Sequence, residues 1–418
     1  MQNYLTLIRE EAQFRKLWLA QVISLTGDWF NTIALVILVN RYADPETGSL
    51  AISALFLART LPVFLASPVA GLVADHIDRR LVLAGSNLAR VGVVLGFLLV
   101  DSPGDIGLLY ILTITQFTLS AFFEPAYAAI LPSLVPRERL LTANTLGSVT
   151  WSVMLTLGAV AGGVVAGVAG VAAALVIDAM TFAAAGTLIL TIRPAYTPPP
   201  DETPEATGIG AWQRISEGWR YARTHPPVFL YATVKAISQV GSIDVMIAVY
   251  AERIFRQGTD GALTLGILFS AHGLGALIGP ILGDILSDGS QAALRAWITG
   301  GFVLLAVGWF VFGIGPTLTV VALGMVLRGM GSSIGWTYSS VLLQLNVPDR
   351  VLGRVFGLDF ALFTLALSGA TLGAGLLLDV AGLSARETVL VISALSIGPL
   401  LLWHIGTRTQ PTPSEQNR

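Results

Sequence analysis

No cysteine occurs among the 418 residues, which excludes disulfides, thiolate metal sites and cysteine nucleophiles. Charge is scarce too: Asp, Glu, Lys and Arg make up 12% of the chain, against roughly 25% in soluble domains. The four histidines, His76, His225, His272 and His404, are scattered and offer no enzyme-like constellation and no metal site. No glycine-rich phosphate loop ending in Lys and Ser or Thr is present, so no ATP-driven pump and no cofactor are expected. A net charge of −2 gives no reason to expect nucleic acid as a partner. The start, "MQNYLTLIREEAQFRK", lacks the apolar core and small-residue cleavage site of a removable signal peptide, so the first span should anchor in place.

What the chain has instead is apolar length. Hydrophobic residues make up 54% of it, and runs of about 20 residues, enough to cross a bilayer as helix, recur throughout. Twelve spans are predicted near 17–40, 50–73, 81–101, 106–132, 145–168, 171–192, 228–250, 261–284, 293–313, 317–342, 353–378 and 385–406. These are continuous runs, not the short alternating segments of a membrane β-barrel. The expected fold is an all-α integral membrane protein of twelve transmembrane helices in two parallel six-helix halves. With the N-terminus inside, only Arg41, Arg253, Arg256 and Arg386 fall in outer loops, while most of the 24 basic residues are cytoplasmic. Both termini are therefore expected in the cytoplasm. The predicted division is an N-terminal half at 1–192, a linker at 193–226 and a C-terminal half at 227–418. The linker opens Pro-, Thr- and Glu-rich and closes, near 210–223, on Trp212, Ile215, Trp219 and Tyr221 interleaved with charges, which predicts an interfacial amphipathic helix.

The halves echo each other. "SLTG" at 24–27 answers "SQVG" at 238–241, and "VPRERLL" at 135–141 answers "VPDRVLG" at 347–353. Gly158 and Gly162 answer Gly369 and Gly373, where small residues would let helices approach closely. Parallel halves able to rock about a midplane site suggest a transporter of a small molecule.

Residues 71–80, "GLVADHIDRR", resemble the loop motif of the major facilitator superfamily. Gly71, Asp75, Arg79 and Arg80 match, while His76 stands where Arg or Lys is usual and Asp78 where Gly is usual. "SLTGDWF", "FFEPAYAAILPSLVPRERLLTAN" and "GRVFGL" are similar to the branch of enterobactin- and macrolide-type exporters. The resemblance implies a drug or siderophore exporter, monomeric, in the bacterial cytoplasmic (inner) membrane. It also implies a cytoplasmic latch built from Gly71, Asp75, Asp78, Arg79 and Arg80, in which Asp75 faces the start of span eleven near Gly353 and Arg79 reaches Glu138 or Asp78. One departure is Gly158-Ala159, where many antiporters of the superfamily carry Gly-Pro.

Charges at membrane depth each cost on the order of 2.5–3.5 kcal/mol unless paired or hydrated. The acids there are Asp28, Glu124, Asp178, Asp244 and Asp359, and the bases are Arg59, Arg90, Lys235 and Arg328. Asp28, Glu124, Arg90, Arg328 and Asp244 are the candidates for proton coupling and transport, with a fixed pair such as Asp28 with Arg90 or Arg59 as the structural alternative. Arg90 and Arg328 would suit an anionic cargo. Trp29, Phe123, Tyr127, Trp151 and Trp336 are candidate cavity-lining aromatics. The function expected is proton-coupled efflux of a small amphipathic or anionic molecule, its partners being that substrate, the proton and the lipid bilayer. Import or lysolipid movement on the same fold, and a non-transporting sensor or scaffold, are the alternatives.

Overall fold

The structure is a computed structural model, and it describes residues 2–44, 46–136, 139–193 and 211–408. Among the described residues there are helices and no strands. The chain forms two compact units, Met1–Gly208 with Ile247–Ser270, and Ile209–Met246 with Ala271–Arg418. In order, the helices are α1 (Gln2–Glu10), α2 (Ala12–Tyr42), α3 (Gly48–His76), α4 (Arg79–Gly96), α5 (Ile106–Ser120), α6 (Phe123–Ile130), α7 (Leu140–Val168) and α8 (Val171–Leu190). There follow α9 (Ala211–Thr224), α10 (Pro226–Ile237), α11 (Ile243–Arg253), α12 (Ala262–Leu286), α13 (Gln291–Ile314), α14 (Leu318–Asn346), α15 (Asp349–Gly375), α16 (Ala385–Leu395) and α17 (Ile397–Arg408).

Ten helical stretches among the described residues are long and apolar enough to cross a membrane. The other two expected spans, near 106–132 and 228–250, are each broken, and each break has a local cause. After α5 the chain turns at Ala121 and Phe122, because Pro125 has no N–H to return to the Ala121 carbonyl. Between α10 and α11, Gly241 takes a left-handed conformation at φ +77°, which glycine adopts without strain. Broken backbone at membrane depth needs partners from neighbouring helices. Trp309 Nε1 supplies one to the Val240 carbonyl at 3.1 Å, and the Thr371 hydroxyl donates to Ser242 Oγ at 3.2 Å.

The core of each unit follows helical periodicity. On α13, Leu294, Ile298, Phe302, Leu305 and Trp309 are buried at intervals of three or four, the stripe an amphipathic helix turns inward. Leu294, Ile298 and Phe302 pack with Tyr231 of α10, Ile334 of α14 and Trp403 of α17. In the first unit Phe14 and Leu17 of α2 join Leu83 of α4, Tyr127 of α6 and Ile189 of α8. Between membrane helices such faces are held by close packing and dispersion, since lipid is as apolar as the core. The segment Ile247–Ser270 is secured within the first unit by polar contacts: Arg41 bonds Asp260, Arg256 reaches the same carboxylate at 2.9 Å, and Thr259 donates to the Gly167 carbonyl at 2.9 Å.

The internal repeat is visible in packing. A Cβ on Gly27 would lie 2.5 Å from Asp178 Oδ1, and one on Gly241 would lie 2.4 Å from Ile392 Cγ2. The glycines 27 and 241 and their neighbours 178 and 392 are separated by the same 214 residues. The other echo behaves differently. Gly158 and Gly162 do lie against Trp29, whereas nothing described comes within 4 Å of the Cβ positions of Gly369 and Gly373, so the expectation of close approach fails in the second half. Helix α9 occupies the expected amphipathic stretch, with Trp219 edge-on to Phe229 at 5.6 Å.

Candidate functional site

In the first unit α2, α3, α4 and α8 bring four ionisable side chains together. Arg90 of α4 is 3% exposed, and its Nη1 lies 3.6 Å from Asp28 Oδ1 on α2. Its Nη2 donates to Asn87 Oδ1 at 2.6 Å, and its guanidinium lies over the Phe182 ring at 4.0 Å. Arg59 of α3 donates to the Thr32 hydroxyl at 2.8 Å and stands over the Phe117 ring. Of the two pairings weighed for Asp28, Arg90 is thus the ion pair within 4 Å. Asp178 of α8 is wholly buried in the same place, four residues from Phe182 and hence on the same helix face. The buried Asn31 amide lies beside its carboxylate, though neither side chain makes a contact of full hydrogen-bond geometry. A charge left idle at membrane depth costs about 2.5–3.5 kcal/mol, so a cluster of ionisable groups here is expensive unless it works. Asp178 falls outside the expected site set; the signal that marks it is its counterpart at the repeat offset, which is apolar.

The second unit holds two further groups. Lys235 of α10 donates to Asp359 Oδ2 of α15 at 2.5 Å, both nearly sealed from solvent, with Lys235 Nζ 4.6 Å from the Trp336 ring centroid. That pair was not foreseen: 124 residues separate its members, and nothing in the sequence sets the rotation of one helix against another. Arg328 of α14 is 3% exposed and lies over Trp309 at 5.3 Å, with Nε and Nη2 unbonded. Asp244 supplies the opposite charge that acts on it, from the first turn of α11, where the helix dipole favours an anion.

The remaining candidates divide. Glu124 is the second residue of α6 and exposed. Phe123 and Tyr127 are not cavity-lining but buried core, stacked at 6.1 Å, with the Tyr127 hydroxyl donating to Gln21 at 3.1 Å. The break before α6 shifts their facing in a way that unbroken periodicity could not anticipate. Trp29 packs on Gly158 and against Phe269, whereas Trp151 and Trp336 are 53% and 42% exposed.

In the loop motif Gly71 and Asp75 fall in the last turns of α3, and the Asp75 side chain lies outside the described residues, as do Glu138 and the surroundings of Gly353. Asp78 caps α4, accepting from the Arg80 N–H at 2.9 Å. Its ion-pair partner is Arg80, at 3.2 Å, rather than Arg79, and Arg80 also donates to the Ile192 carbonyl. Beside this turn a cleft of about 320 Å³, lined by Val73, Ile77, Leu81, Gly85, Leu119 and Phe122 among others, is almost wholly apolar.

Comparison with known proteins agrees with this architecture. The family model described as Major Facilitator Superfamily matches residues 17–371. An uncharacterised MFS-type transporter of Mycobacterium tuberculosis is 28% identical over 429 residues, covering 97% of this chain and 93% of its own. The enterobactin exporter EntS of Salmonella typhimurium is 26% identical over 423 residues, covering 98% and 96%. A bacterial homologue of the human lysosomal transporter Spinster, solved inward-facing and unoccupied, shares the fold at a TM-score of 0.75 with 14% identity, covering 96% of this chain and 98% of its own. A bacterial homologue of the iron transporter ferroportin does so at 0.68 with 16% identity, covering 94% and 97%. These are transporters, not enzymes. The chain belongs to the major facilitator superfamily and is a multi-pass membrane transporter of a small molecule.

Proposed function

We propose that this transporter exports a small amphipathic or anionic molecule in exchange for protons, by alternating access. The observation that carries the reading is the Asp28–Arg90 pair inside the first unit: a loosely held acid–base contact at 3.6 Å, in a setting where an idle charge would be costly. Likeness to an enterobactin exporter over nearly the whole chain supports efflux, and Arg90 and Arg328 supply cationic groups that favour a catecholate-type anion. Glu124 and Asp244 are the further acids in this scheme, and Trp151 and Trp336 offer exposed aromatic faces to cargo. The working parts are the halves 1–192 and 227–418 joined by 193–226, in a monomer in the bacterial inner membrane with both termini cytoplasmic. Gly71, Asp75, Asp78, Arg79 and Arg80 form the cytoplasmic latch that favours the outward-open state.

The test is reconstitution of the full chain in liposomes with an imposed pH gradient, offering enterobactin, a macrolide and ethidium. Gradient-dependent movement of at least one of them is expected, falling at least tenfold in Asp28→Asn. Failure to move any, or an Asp28→Asn protein indistinguishable from native, refutes proton-driven export.

A further inference from the structure

The first unit buries a carboxylate that the fold does not require. Asp178 lies against Gly27, and at the equivalent place in the second unit Ile392 lies against Gly241, both pairs at the same offset. An isoleucine therefore fills this niche when only packing is at stake, and Ile392 is as well buried there as Asp178 is here. The carboxylate is not retained as half of a tight ion pair either. Arg90 directs one guanidinium nitrogen to Asp28 and another to Asn87, leaving Nε unbonded, and among the described residues no cation comes within 4 Å of the Asp178 carboxylate, whose polar neighbour is the Asn31 amide. The charged groups that face Asp178 are Asp28 of α2, Arg59 of α3 and Arg90 of α4, while α7, which also packs on α8, carries no charge at all.

We propose that Asp178 is the group that carries the exchanged proton, and that Arg90 is its switch. This rests on the proton-exchange reading above and gives it a chemical seat. In the arrangement seen, Arg90 is engaged with Asp28 and Asp178 holds its proton as a neutral acid. When the O–H bond breaks and the proton leaves to water, Arg90 turns to the new carboxylate and Arg59 remains to balance Asp28. With Asp178 protonated the four groups sum to +1, and once the proton has left two acids and two arginines sum to zero, so each release changes the cluster by one charge.

Infrared difference spectra of the full chain in liposomes, native against Asp178→Asn, test the assignment without any cargo. The expected result is a protonated-carboxyl C=O band present in native protein at neutral pH, lost reversibly at alkaline pH and missing from Asp178→Asn, but retained in Glu124→Gln. No such band in the difference spectrum overturns the assignment. In parallel, Asp178→Ile, which copies the second unit, should keep a melting temperature at or above native. It should also lose at least tenfold of pH-gradient-driven ethidium extrusion while retaining ethidium exchange without a gradient. An Asp178→Ile protein with native gradient-driven extrusion also overturns it. If native protein moves no ethidium, enterobactin or macrolide under a gradient, the export reading fails, and the infrared result still decides for or against the buried proton.

Discussion

The Lys235–Asp359 pair gives the sharpest stability prediction. At 2.5 Å and an effective dielectric of about 20, the two charges attract by roughly 6–7 kcal/mol. Desolvation of two ions consumes several kcal/mol each, so against well-packed apolar residues the pair should come out near neutral. Removing one partner is different, because it strands the other charge, at a cost of about 3–5 kcal/mol. The neighbours make the two single changes unequal. Asp359→Leu leaves Lys235 over the faces of Trp336 and Phe356, which still stabilise a cation and hold the loss toward the lower end. Lys235→Met strands a carboxylate whose Oδ1 is already without a partner and discards a cation–π contact of about 0.5–2 kcal/mol, so it should cost more. The double variant should return to within about 1 kcal/mol of native. Thermal unfolding of purified protein in one detergent, followed by circular dichroism, orders the four proteins. The expected order from most to least stable is native close to the double variant, then Asp359→Leu, then Lys235→Met. A double variant as unstable as the sum of the singles would refute the pair.

Other perturbations test the local arguments. Asp78→Ala removes the cap of α4 and the contact to Arg80, and should cost about 0.5–2 kcal/mol in the same unfolding assay, while Asp78→Asn, which keeps an accepting oxygen, costs less. Gly27→Ala would place a Cβ 1.9 Å from the Thr181 hydroxyl, overpacking worth about 1–3 kcal/mol. Pairing it with Thr181→Ala should recover part of that loss, and no recovery would count against the contact. Trp309→Phe withdraws the donor from the Val240 carbonyl, so amide hydrogen exchange at 238–242 should rise without a matching rise along α13.

Much of the architecture was legible because apolar length is a one-dimensional signal. Ten of the twelve predicted spans are helical stretches long and apolar enough to cross a membrane, and the other two are broken at Pro125 and Gly241, the residue types that interrupt helices. The candidate site was only partly legible, since it depends on how each helix is rotated. Asp28 and Arg90 could be weighed as partners from depth alone, but Lys235 had no partner assigned, and Phe123 and Tyr127 were assigned to a cavity when they pack in the core. Arg79 and Arg80 are adjacent, yet only the rotation of the first turn of α4 determines that Arg80 meets Asp78.

The repeat explains why such errors concentrate in charges and not in backbone. Both halves inherit one packing scheme, so a glycine beneath the sixth helix of each half recurs at a constant offset and reads directly from sequence. Charges do not recur. At that offset Asp178 is matched by Ile392, and Arg59 by Gly273. Where two copies of a scaffold keep their contacts but differ in charge, packing cannot be the reason for the difference. The polar residues of the first unit and the separate Lys235–Asp359 and Arg328–Asp244 groups of the second are therefore specialisations laid on a shared frame. Comparing equivalent positions within one chain identifies which buried charges are dispensable for the fold, and by that measure Asp178 is the most exposed to experiment.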